Sequence, residues 1–418
     1  KPKEINYANA QREVNFMSNL KIFTENIEYE ALNQIYTLVK QPAFADCKIR
    51  IMPDVHAGAG CVIGFTADLG DKVIPNIVGV DIGCGMLTVE LGTANIDYAE
   101  LDRIIRENIP SGRSVRDTVL VDFPEFHDLR CWNRLREKDW LERSMGSLGG
   151  GNHFVEVDED EEGNKYLVIH TGSRNLGKQV AMLYQAMAIK SIHGVQDLAS
   201  KQAELIARYK AQKREKEIQQ ALAELNRTYQ PVPRGIPKEL CYLTGQNRED
   251  YLHDMQICQR FAVLNRCTIA NTIVKKLFGV DIRHCHFHTF ETIHNYIEQS
   301  TNMVRKGAIS AKKGERVLIP INMRDGCIIG IGKGNEDWNC SAPHGAGRLM
   351  SRSQAKEQIS MEDYEESMKG IYTTSVNSAT LDESPMAYKS IDEILANIAD
   401  TIEVERIIRP VYNFKASE

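Results

Sequence analysis

Short apolar runs rich in β-branched residues, each closed by glycines, stand on both sides of one long stretch of opposite character. Over residues 47–91 the runs are IRIMP, CVIGFTA, VIPNIVGV and MLTVEL, and a second series from Met145 passes through LGGGNHFVEV and YLVIHTGSR. Runs of this kind predict buried strands joined by tight loops. Residues 179–229, by contrast, hold no proline and a single glycine, Gly194, and are rich in Ala, Gln, Glu, Lys and Leu. That composition predicts a long helix or a helical hairpin, stopped by Pro231, Pro233 and Pro237. A second helix is expected over residues 248–278, strands at RVLIPI and CIIGIGKG, and helix again over residues 391–406. With glycine-rich strand series flanking the helical segment, the expected fold class is α+β. It is a single large domain spanning 1–418, of mixed sheets with flanking helices and a helical insertion at about 179–232.

The 418 residues suffice to bury a sizeable core, and 42% hydrophobic against 26% charged residues excludes disordered and fibrous classes. No run approaches the roughly 20 apolar residues of a membrane helix, and residues 1–16 lack an apolar core followed by a small-residue cleavage site, so a cytoplasmic location is expected. The ten cysteines form no regular framework, which predicts reduced thiols open to metal binding. A net charge of −6 excludes an overall basic coat but leaves room for a local cleft that receives a polyanion. In the insertion, AQKREKEIQQALAELNR alternates charge at helical spacing, as a solvated helix face does.

The chemistry-bearing residues sit in the glycine-dense turns. In VGVDIGCGM, Asp81 precedes Cys84 by three residues, and Gly83 and Gly85 let the backbone fold tightly around both side chains. A carboxylate and a thiolate can then face one ion, although a free cysteine is more often a small apolar filler. His153 in GGGNHF, His170 in VIHTGSR, His294 in IHNY and His344 in APHGAGR all lie beside small or polar residues or at the ends of apolar runs. His127, His193, His253 and His284 read as structural. Imidazoles, a carboxylate and a thiolate suit a pair of divalent transition ions, and these donors alone do not choose among zinc, iron and manganese. The loops GSLGGGNHF, HTGSRNLG and HGAGR, two of which bring in Arg174 and Arg348, offer backbone N–H groups suited to phosphate. Neither a Walker A pattern nor a strand–GxGxxG–helix unit is present.

The motifs MPDVHAGAG, VGVDIGCGM, GGGNHFVE, HTGSR, HNY, RKGAISA, SAPHGAGRLMSR and MAYKSID, in this order between residues 52 and 392, resemble those of the RtcB-type RNA-splicing ligases. The resemblance covers almost the whole chain and implies an RtcB-like fold. It implies an enzyme that joins RNA bearing a 2',3'-cyclic phosphate or 3'-phosphate to a 5'-hydroxyl end, in tRNA splicing or RNA repair, using GTP and two Mn2+ ions. His344 is then the nucleophile that takes up GMP, and Asp54 orients it. Cys84 is implied to bridge the two ions, with Asp81, His153, His170 and His294 completing the metal set. Asn152 is implied to contact the GTP phosphates and Arg348 the nucleotide. Phe154 and Glu156 resemble guanine-contacting residues, Tyr388 packs on the base, and Lys415 matches a lysine that recognises it. Here PINMRDG replaces the PGSMG of many members, putting Asn322 where a serine is common, and the chain runs three residues past Lys415.

Two other functions fit parts of the pattern. A metal-dependent cyclic phosphodiesterase would use the same metal set without joining ends, and needs no nucleophile at His344. An RNA-binding or metal-storage protein would bind without turnover.

Overall fold

The computed structural model describes residues 19–193, 198–229 and 235–416. Pro231 and Pro233, expected to end the helical segment, lie outside the described residues; Pro237 directly precedes a short 3-10 turn, Lys238–Leu240. Among the described residues the strands are β1 (Leu20–Ile22), β2 (Ile49–His56), β3 (Ile63–Asp68), β4 (Gly85–Gly92), β5 (Phe154–Glu159), β6 (Lys165–Thr171), β7 (Thr289–Glu298), β8 (Met303–Ser310), β9 (Arg316–Asn322), β10 (Gly326–Gly332), β11 (Ser341–Pro343), β12 (Tyr372–Thr373) and β13 (Ile402–Lys415). They form one mixed sheet in the order β1-β2-β3-β8-β7-β4-β6-β5-β13-β10-β9, with β11 added on β8 and β12 on β13. The pairs β1–β2 and β12–β13 are parallel and the others antiparallel.

The central strands are apolar and buried on both faces, which fits their short, near-continuous hydrophobic runs. One face packs on the helix Gly245–Phe278, whose Ile269, Ala270, Ile273 and Val274 share a cluster with Leu87, Val89, Val155, Val157, Leu167 and Ile169. That helix ends on Gly279 in the left-handed conformation, with Lys275 and Lys276 in its last turn, as the backbone dipole favours. The opposite face carries a cluster of Met86, Phe154, Tyr166, Val168, Leu318, Cys327, Ile329 and Ile408.

Between β6 and β7 the chain turns helical, through Arg174–His193, Leu198–Ala211 and Ile218–Thr228 before Gly245–Phe278. The helices Leu198–Ala211 and Ile218–Thr228 pack on one another as a hairpin. Residues 391–406 divide instead of forming a single helix: the helix Ile391–Ile398 stops and β13 begins at Ile402. Clustered β-branched residues favour strand there, and Pro410 could not continue a helix. No helix among the described residues is long and apolar enough to cross a membrane.

Candidate active site and metal centre

Register gathers the candidate ligands. β4 lies between β6 and β7, with Gly85 opposite Thr171 on one side and Ile293 on the other. Cys84, one residue before β4, therefore sits between His170 near the end of β6 and His294 on β7, and its carbonyl accepts the His294 backbone N–H at 2.8 Å. Phe154 on β5 pairs with His170, which delivers the preceding His153 to the same place. β11 extends β8 beside β7, so His344, just after β11, follows; the His294 and His344 rings lie 4.7 Å apart.

The donor atoms converge. Cys84 Sγ is 3.5 Å from His153 Nε2 and 3.3 Å from His170 Nε2. His153 Nε2 lies 2.9 Å from Asp81 Oδ2, and His170 Nε2 3.4 Å from His294 Nε2. Metal–sulfur bonds of about 2.3 Å and metal–nitrogen bonds of about 2.0 Å, at tetrahedral angles, place donors roughly 3.3–3.5 Å apart. The spacing thus fits a cation held among these side chains. Tautomers agree, since His153 Nδ1 and His170 Nδ1 donate to the carbonyls of Leu148 and Asn152 at 2.8 and 3.1 Å, leaving both Nε2 lone pairs free. His294 Nδ1 is buried without a partner. Asp81, Cys84, His153, His170 and His294 could hold metal, with Asp81 and His153 at one end, His170 and His294 at the other, and Cys84 between.

Electrostatics favours neutral nitrogen donors. Burial holds His170 and His294 well below the ordinary imidazole value. Burial, reinforced by Asp81, pushes the Cys84 thiol well above its usual value, so a cation is what would draw out the thiolate. Burial opposes ionisation of Asp81, but its hydrogen bonds with His153 and Cys84 and the nearby Arg174 charge together outweigh that and lower it. Close approach decides one glycine: a Cβ on Gly172 would fall 2.2 Å from Asp81 Oδ1.

Two helical side chains brace these loops. Buried Arg266 donates to the carbonyls of Gly83 and Thr171 at 2.9 and 2.8 Å and pairs with Glu291 at 3.0 Å. Its neighbour Asn265 accepts from the Gly146 backbone N–H and donates to Gly172. Both fall within FAVLNRCTIANTIVKKLF, which looks like an ordinary helix stripe, so their role had no sequence signal. Arg174, which the loop composition put near phosphate, instead donates to Ser147 Oγ and the Gly112 carbonyl.

Beside the metal set opens a cavity of about 510 Å³, lined by Asn152, Phe154, Glu156, His170, Asn322, His344, Arg348, Tyr388 and Lys415 among others. That volume suits a nucleotide-sized ligand. Asp54 is fully buried behind His344: its Oδ2 accepts from His344 Nδ1 at 2.6 Å and from the His344 backbone N–H at 3.1 Å. No hydrogen bond engages His344 Nε2 among the described residues. Asn322 lines the cavity, yet its side chain is committed to the β9–β10 turn, accepting from the Arg324 and Asp325 backbones and donating to Asp325.

One residue missed in the sequence organises the far wall. Glu383 is buried and accepts from Lys415 Nζ and Tyr388 Oη, each at 2.7 Å, with Arg348 and Arg352 at 3.3 and 2.9 Å. Burial opposes its charge, but Lys415 and the two arginines outweigh that and pull its carboxyl down to about 2. It lies in LDESPMAYK, three residues ahead of the MAYKSID motif.

Comparison with known proteins meets this geometry. A family model described as tRNA-splicing ligase RtcB matches residues 34–130 and 130–416. The RNA-splicing ligase RtcB of Escherichia coli K12 is 31% identical, the alignment covering 94% of this chain and 96% of that protein. The RNA-splicing ligase RtcB1 of another Escherichia coli strain matches to the same extent, and the tRNA-splicing ligase RtcB of Aeropyrum pernix is 28% identical over 86% of each chain. With a motif set, a cluster of side chains that could hold metal and a matched length that agree, the chain belongs to the tRNA-splicing ligase RtcB family.

Proposed function

We propose that this RNA ligase joins RNA ends carrying a 3'-phosphate or 2',3'-cyclic phosphate to 5'-hydroxyl ends through a guanylated His344, with GTP as the activating nucleotide and manganese as the metal. The observation that carries the reading is the Asp54–His344 pair. By accepting from both Nδ1 and the backbone N–H, Asp54 fixes the ring, keeps the proton on Nδ1 and leaves Nε2 as the nucleophile at the cavity.

Nε2 attacks the α-phosphorus of GTP; an N–P bond forms, and pyrophosphate leaves with the electrons of the broken P–O bond. Asp54 balances the positive charge that develops on the ring. An oxygen of the RNA 3'-phosphate then attacks the same phosphorus and expels the imidazole, converting a poor electrophile into an anhydride. The 5'-hydroxyl oxygen attacks the RNA 3'-phosphorus, its proton passes to solvent, and GMP departs. A cyclic phosphate is opened by water before activation. When bound by Asp81, Cys84, His153, His170 and His294, manganese supplies charge neutralisation for the phosphates. In the cavity, Glu156 and Lys415 meet the base, Phe154 and Tyr388 supply its apolar contacts, and Asn152 and Arg348 face the phosphates.

Incubation with GTP labelled at the α-phosphorus, plus manganese, should label the wild type and leave His344→Ala unlabelled with most of its metal retained. A short RNA pair with defined ends should be joined with GTP and not with ATP. Cleavage of cyclic phosphates with no label and no joined product would establish the phosphodiesterase instead.

A further inference from the structure

The cavity wall contains an acidic pair of which the ligase reading uses only one member, Glu156. Glu156 and Asp158 stand two residues apart on β5, so both side chains leave the same face. Their oxygens and Cys327 Sγ on β10 lie within 4.8 Å of one another, and all three residues are buried. Around them are Phe154, Tyr166, Val168, Leu318, Ile329 and Ile408, an apolar cluster that solvates no charge. The polar surroundings of the two carboxyls are unequal. Glu156 Oε2 accepts from Asn413 Nδ2 on β13 at 2.6 Å, and Lys415, two residues further along β13, adds a favourable charge. Among the described residues no amide, hydroxyl or cation meets either oxygen of Asp158, whose polar neighbours are Glu156 and the weakly donating Cys327 thiol. The residue opposite Asp158 on β13 is Pro410.

We propose that Asp158 is a positioning residue for base recognition: it holds one proton shared with Glu156, and so keeps Glu156 ionised as an acceptor at the cavity. Two abutting carboxyls in an apolar wall cannot both be charged without a cation between them, and Lys415 is already committed to Glu383. One proton must stay, and it stays on the member that has no amide donor and no nearby cation. Burial and the neighbouring Glu156 hold Asp158 well above the ordinary carboxyl value, whereas burial raises Glu156 against the opposing help of Asn413 and Lys415. The consequence is chemical selectivity. Guanine presents adjacent N1–H and N2–H donors on its Watson–Crick edge, and an ionised Glu156 accepts both; adenine offers only N6–H there, beside an N1 acceptor that a carboxylate repels.

This inference rests on the GTP reading above, and its test separates the two. Infrared difference spectroscopy of the unliganded protein at neutral pH should show a protonated-carboxyl band that Asp158→Asn removes. In wild type, KM for GTP should rise on the acid side, by about tenfold per pH unit once Glu156 takes up a proton of its own. Asp158→Leu, which removes the donor toward Glu156, should move that rise to higher pH, whereas Asp158→Asn, which keeps a donor, should leave it in place. Guanylation of His344 at neutral pH, measured in all three proteins, reports separately on the ligase reading. A band absent from wild type, identical pH profiles in wild type and Asp158→Leu, or an additional metal ion lost with Asp158 would each overturn the shared proton.

Discussion

The Asp54 carboxylate is fully buried and spends Oδ2 on the ring and backbone of His344, while its Oδ1 has no partner among the described residues. Asp54→Asn would turn an acceptor into a potential donor and favour the wrong tautomer of His344. GMP transfer to His344 should fall roughly 10²–10⁴-fold while bound metal is unchanged, as single-turnover labelling and metal analysis would report. Lys415 gives a second residue-level expectation. Replacing it with Met removes a charge-assisted hydrogen bond of about 1.5–3 kcal/mol, so KM for GTP should rise roughly 10- to 100-fold with the metal set intact. The same change loosens Glu383. Because its folded value is depressed from 4.5 to about 2, its stabilising contribution is whole above 4.5 and is lost as pH falls toward 2. Removing Lys415 raises that folded value, so acid unfolding followed by circular dichroism should begin at higher pH in the variant. Cysteine and histidine in glycine-rich turns were legible because few structural roles need those residues there. Glu383 was not, since an acid among small residues looks like any loop until burial and three cations surround it.

Among the elements, the helix Gly245–Phe278 does more than cover the sheet. It was expected over residues 248–278 from its apolar stripe, but nothing in that stripe reveals that Arg266 turns inward to hold the carbonyls of Gly83 and Thr171 beside Cys84. Hydrogen bonds to backbone carbonyls leave no sequence signature. Arg266→Met would keep much of the volume while leaving two carbonyls unanswered and Glu291 uncompensated. Breaking a buried ion pair in this way costs about 3–5 kcal/mol, and the metal loop loses its brace. Denaturant titration should register the loss, and metal binding at the Cys84 set should weaken with it; a variant with unchanged stability and metal content would assign Arg266 no such role. The division of residues 391–406 into a helix and β13 failed to appear in the sequence for another reason. Periodicity over so short a span fits both states, and only pairing with β5 and β10 decides.

At the scale of the whole molecule, the sheet and the insertion obey different rules. Every candidate metal residue stands on a strand of the sheet or on a loop joined to one, and of the candidate nucleotide residues only Tyr388 does not, so strand register assembles most of the site. The hairpin of Leu198–Ala211 and Ile218–Thr228 contains no buried residue among those whose side chains are described, and its charges alternate along solvated faces. We propose that it is an appendage on a single catalytic domain. Replacing residues 198–229 with a flexible Gly/Ser linker removes no core contact, so the remaining chain should unfold within about 1 kcal/mol of the intact protein and still accept GMP on His344 at an unchanged rate. Joining of RNA ends is the more demanding readout, because a long polyanion reaches beyond the cavity. Unaltered guanylation with weakened joining would give the hairpin a part in holding RNA; loss of guanylation itself would make it integral to the catalytic fold and refute its status as an appendage.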